Sequence, residues 1–194
     1  LTLFQSAESI CIPIRLQNYG LSCSAALSTY GTLTGMALPL VLFPTAVTNA
    51  LSVMLLPAVS EAQATSDRRA IASLSVRTIQ SCLLLGIFCT IFFLLTGNLC
   101  GTLLFHNAEA GTYILILCWL CPFLYLGTTL ASILNGLGKT SAVFLINTTA
   151  LLIRLFFVWF AIPSSGIKGY LFGILLSQLI HSALLLLCLN RSLD

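Results

Sequence analysis

From Arg15 to Glu61 the sequence runs without a single charged residue, and the apolar stretches beyond it are each about as long as a membrane-crossing helix. A helix needs roughly 20 apolar residues to cross about 30 Å of hydrocarbon. Hydropathy divides the chain into a partial span over 1–16, interrupted by Gln5 and Glu8, and full spans over about 31–58, 78–97, 112–134, 141–162 and 167–189. Inside lipid every backbone donor and acceptor must be satisfied within the protein, so helices are the expected structure for these stretches. Composition points the same way. Hydrophobic residues make up 58% of the chain and charged ones 7%, with a mean hydropathy of +1.05. A soluble domain carries about a quarter charged residues, and a surface this poor in charge would not stay wetted. The fold class implied is all-α: a polytopic transmembrane helical bundle, one unit over residues 1–194.

Polar segments punctuate the spans. Ser60 to Ser75, with Glu61, Asp67, Arg68 and Arg69, reads as a polar loop ending as a helix on the membrane surface. Asn98 to Gly111 reads as a weaker loop, and Asn135 to Lys139 and Pro163 to Gly166 as short turns. With the Arg68 segment on the cytoplasmic side, Arg68, Arg69, Arg77, Lys139 and Arg191 lie inside, Arg15 and Lys168 lie outside, and Arg154 falls within the membrane. That distribution obeys the positive-inside rule. The chain opens on Leu1 with no charged segment typical of a signal peptide. It is expected to be a fragment of something longer.

Several function classes find no support. A net charge of +3, spread along the chain, lacks the clustered basic residues of a nucleic-acid surface. The eight cysteines fall mostly in apolar runs, where a thiol behaves as a small hydrophobe. Cys118 and Cys121 have C-x-x-C spacing, but no His or second Cys pair accompanies them to complete a metal site. His106 and His181 have no catalytic constellation around them, with His181 placed near the inner end of the last span. No phosphate-binding glycine loop occurs. An enzyme, a cofactor or a metal is therefore not expected.

The residues that stand out are those that membrane helices do not readily tolerate. Pro39 and Pro44 lie within one span, which ends at Pro57 and also holds the polar pair Thr48-Asn49. Proline removes a backbone donor and bends a helix, so Pro39 and Pro44 are candidates for a hinge beside a cavity, or for a packing kink. Gly31 with Gly35, and Gly169 with Gly173, have the spacing that lets helices approach closely. Glu8 has Arg15 two turns later on its own helix face, and Arg154 has Asn147 seven residues before it on one face. Ionisable groups inside a membrane are costly and point to functional sites. Arg154, Glu8, Arg15, Asn49 and Asn147 are the candidate substrate-binding residues, with structural contact between helices, or snorkelling for Arg15, as the alternative.

The run Tyr30-Gly-Thr-Leu-Thr-Gly-Met-Ala-Leu-Pro-Leu-Val-Leu-Phe-Pro44, continuing through Leu55-Leu-Pro-Ala-Val-Ser-Glu-Ala-Gln-Ala64, resembles the polysaccharide and lipid-II flippase branch of the multidrug/oligosaccharidyl-lipid/polysaccharide (MATE-like) exporter superfamily. Trp119 to Phe123, Ser132 to Lys139, Gly166 to Tyr170, and Glu8-Ser9 with Ile12-Pro13 look like the same family. The resemblance implies two facing six-helix lobes, of which this chain would be most of the second, with the loop after helix eight cytoplasmic. It implies a multi-pass protein of the bacterial cytoplasmic membrane. The implied activity is moving a lipid-linked peptidoglycan or polysaccharide precursor by alternating access, in spore cortex or cell-wall synthesis. The implied partners are that precursor, membrane lipids and the N-terminal lobe of a full-length protein, with no nucleic acid. An ion-coupled drug exporter of the same superfamily and a non-transporting scaffold for envelope or spore assembly are the competing readings.

Overall fold

The structure, a computed structural model, describes residues 2–193, and every regular element among them is helical. Helix α1 spans Thr2–Asn18 and α2 spans Cys23–Leu42. Helix α3 covers Thr45–Ala64, α4 Arg68–Leu104, α5 Ala108–Gly136 and α6 Thr140–Phe160. Helix α7 covers Ile167–Leu193. Five of these, α2, α4, α5, α6 and α7, are long and apolar enough to cross a membrane. The chain is an all-α polytopic bundle.

The boundaries depart from hydropathy where helices are polar. The stretch expected as one span over 31–58 lies across two helices. Helix α2 starts at Cys23 because Ser22 caps it, its hydroxyl accepting from the Ala25 N–H at 3.2 Å. The expected loop from Ser60 to Ser75 is helix on both sides of a turn over 65–67. Asp67 caps α4 by accepting from the Ala70 N–H at 3.0 Å, so α4 begins in polar sequence. The weak loop from Asn98 to Gly111 shrinks likewise to 105–107, where the Asn107 side chain caps α5. The turn after Asn135 is as short as its sequence suggests. Gly138 adopts φ +76° and lets the Lys139 N–H reach back to the Leu134 carbonyl at 2.9 Å.

The proline-rich run is a bent helix, not a straight one. A π-turn over Leu33–Ala37 precedes Pro39, with the Leu38 N–H bonded to the Leu33 carbonyl. Pro44 then marks the break between α2 and α3. Carbonyls at that break accept from outside the helix ladder: Leu42 from the Thr45 hydroxyl at 2.5 Å, and Val41 from the fully buried Tyr125 hydroxyl at 3.3 Å.

Helix α5 is the centre of the bundle, packed against α3, α4 and α7. Ile114, Leu117, Cys121, Leu130 and Leu134 are fully enclosed there. Lipid tails are as apolar as leucine, so close packing and interhelical hydrogen bonds hold such helices together. Between α3 and α5, Ser132 donates to the Ser52 carbonyl at 2.5 Å and Ser60 to the Gly136 carbonyl at 3.2 Å. Between α4 and α5, Pro122 cannot donate to the Cys118 carbonyl, which accepts from the Cys121 N–H and, across the interface, from the buried Thr90 hydroxyl at 3.0 Å. Gly86 lies directly against Pro122, where a side chain would collide with backbone. The two glycine pairs differ. Gly169 presses against Ala161, just past the end of α6, and Gly173 against Phe157 of α6, as their spacing suggests, whereas Gly31 and Gly35 face open space because no described helix covers that side of α2. Phe43, Val53, Met54 and Leu95 stand almost bare on the periphery, as lipid-facing side chains do.

Candidate functional site

Helix α6 packs against both α1 and α7, a side-chain hydrogen bond joins α1 to α7, and polar side chains line the seam between them. Near the end shared by the α6–α7 turn, Arg154 of α6 reaches Glu8 of α1, with Nη2 and Oε2 3.1 Å apart. Tyr170 of α7 donates its hydroxyl to the other carboxylate oxygen, Oε1, at 2.9 Å. Glu8 is 5% exposed. A buried charge needs a partner and further hydrogen bonds to be tolerated, and Glu8 has both.

Deeper along the seam, a cavity of about 300 Å³ opens among Gln5, Asn147, Arg154, Ser177, Gln178 and His181. His181 Nε2 and Asn147 Oδ1 are 2.7 Å apart. Gln178 lies 3.5 Å from both the His181 ring, at Nδ1, and the Phe123 carbonyl. These side chains fall in register because i, i+3, i+4 and i+7 positions share a helix face: Asn147, Leu151 and Arg154 on α6, with Ser177, Gln178 and His181 on α7. The cavity therefore offers amide, imidazole and guanidinium groups to a polar guest inside an apolar bundle.

Of the residues singled out in the sequence, the structure brings Glu8, Arg154 and Asn147 together. Arg15 goes elsewhere. Its guanidinium lies 3.8 Å from the ring centre of Trp159, an amphipathic pair of the kind found at membrane interfaces. Glu8 thus pairs with Arg154 and not with the arginine on its own helix. Asn49 is exposed on α3 and does not line the cavity. Pro39 and Pro44 shape α2 and α3, also outside it. His181 is in mid-helix of α7, not near its inner end. Gln5, Tyr170, Ser177, Gln178 and His181 complete the site; the only sequence signal for them was the spacing of Ser177, Gln178 and His181 on one helical face. Among the described residues no group of three or more His, Cys, Asp or Glu is placed to hold a metal ion.

Comparison with known proteins gives one distant similarity. The chain is 26% identical over 182 residues to stage V sporulation protein B of Bacillus subtilis (strain 168), a match covering 91% of this chain and 35% of that protein. The chain thus spans about a third of the length of the curated relative it matches. No family model matches, and no solved structure does. A helical membrane bundle and an alignment running through nearly all of it make the chain a distant homologue of stage V sporulation protein B.

Proposed function

We propose that this chain is part of a flippase that moves a lipid-linked peptidoglycan or polysaccharide precursor across the bacterial cytoplasmic membrane by alternating access, in the service of sporulation or cell-wall synthesis. The observation that carries this reading is the polar cavity at the α1–α6–α7 seam, with Arg154 as its cationic group. A lipid-linked precursor is anionic at its phosphates and rich in hydroxyls and amides on its glycan. Arg154 retains guanidinium N–H groups beyond the one near Glu8, and Asn147, Gln178 and His181 supply neutral partners. The bend at Pro39 and Pro44 supplies a place where α2 and α3 change their mutual angle as access alternates. The similarity to a sporulation protein agrees with the cellular setting.

An ion-coupled drug exporter is less well supported, since such exporters rely on carboxylates inside the membrane and Glu8 is already engaged by Arg154 and Tyr170. The test is Arg154→Ala in the full-length protein, with Arg154→Lys alongside to keep the charge, assayed for precursor translocation in vesicles at matched protein levels. Translocation should fall by about tenfold or more in the alanine variant, the equivalent of one charge-assisted contact of about 1.5 kcal/mol. Unchanged translocation would overturn the reading and favour a non-transporting scaffold.

A further inference from the structure

The same α6–α7 seam carries a second recess at its opposite end. There Ala142, Ile146, Leu184, Leu187 and Cys188 line an apolar groove of about 510 Å³, with Lys139 and Arg191 at its rim. Lys139 immediately precedes α6 and Arg191 is in the last turn of α7. Both are exposed, and among the described residues neither side chain has an ion-pair or hydrogen-bond partner. Two cations, unpaired among the described residues, thus stand over a greasy slot at the membrane end where α4 begins at Arg68. From these observations we infer that this groove is a binding site for an anionic glycerophospholipid of the surrounding bilayer, with its phosphate between Lys139 and Arg191 and an acyl chain along Ile146, Leu184 and Leu187.

Charge complementarity selects this occupant. A basic pocket between membrane helices at the interface suits an anionic lipid headgroup, and the slot below it matches hydrocarbon. A zwitterionic lipid, whose ammonium offsets its phosphate, gains less from the two cations. The site is independent of the transport reading and stands or falls separately.

Lipid retention by the purified full-length protein tests it, read by native mass spectrometry after exchange into detergent with added phosphatidylglycerol, or with phosphatidylcholine as the neutral comparison. The native protein should retain phosphatidylglycerol preferentially. Each basic residue near such a headgroup contributes a factor of about five, so Lys139→Gln with Arg191→Gln should weaken retention by about 25-fold, while Lys139→Arg should preserve it. Equal retention of the two lipids, or equal retention by the double variant, would overturn the site. So would a photo-crosslinker at Leu187 in the full-length chain that captures another segment of the polypeptide in place of lipid.

Discussion

Glu8 is buried and its charge is tolerable there because Arg154, half-buried at the edge of the polar cavity, pairs with it. Removing one member of a buried pair strands its partner at a cost of about 3–5 kcal/mol, whereas replacing both with neutral groups of similar volume is often close to harmless. We therefore expect Arg154→Met alone to lower the thermal stability of the full-length protein sharply, and Glu8→Gln combined with Arg154→Met to restore most of it. Unfolding followed in detergent checks this, and a double variant no better than the single one would argue against a coupled pair. Both residues were conspicuous in the sequence because ionisable groups are rare in membrane helices. Their pairing was not, since helical periodicity relates only residues on one helix and so matched Glu8 with Arg15. Gln178 and His181 were harder still, because a few polar side chains in a long apolar run leave its mean hydropathy high and do not say which neighbouring helix they face.

At the scale of elements, the bundle turns proline's defects into contacts. Pro122 cannot donate to the Cys118 carbonyl, which accepts instead from the Cys121 N–H in a tightened turn and from the Thr90 hydroxyl on α4; Gly86, one turn earlier on α4, lets the two backbones meet. The two residues contribute differently, and their variants should separate. Thr90→Val deletes a hydrogen bond of about 1 kcal/mol in a membrane setting. Gly86→Val must push α4 away from Pro122, loosening the contact along its length, and should cost several times more. Melting temperatures of the two full-length variants, compared with the parent, give the answer; similar losses for both would remove the close-approach account. The prolines themselves were plain in the sequence, and so were the helices from α4 to α7, whereas α2 and α3 read as a single span. What hydropathy could not supply was where helices end, because Ser22, Asp67 and Asn107 start them in polar sequence that a scan for apolar residues passes over.

For the whole molecule, the alternation of helices places Arg68, Arg69, Lys139 and Arg191 toward one end and Arg15 and Lys168 toward the other, and the positive-inside rule assigns the first end to the cytoplasm. Cys23, exposed at the start of α2 beside the opposite end, is a native reporter of that assignment. In full-length protein whose other cysteines are replaced, a membrane-impermeant maleimide should label Cys23 in intact cells stripped of their wall. Labelling that requires permeabilised cells would invert the topology. Helix α4 has a further bearing on shape: at 37 residues it is about 55 Å long, well beyond the roughly 30 Å of hydrocarbon. The ion pair at the seam has a consequence of another kind. A unit charge carried across a 100 mV potential exchanges about 2.3 kcal/mol with the field. Glu8 and Arg154 sum to zero, so any shift that carried α1 and α6 together would move the pair through the membrane voltage without electrical work.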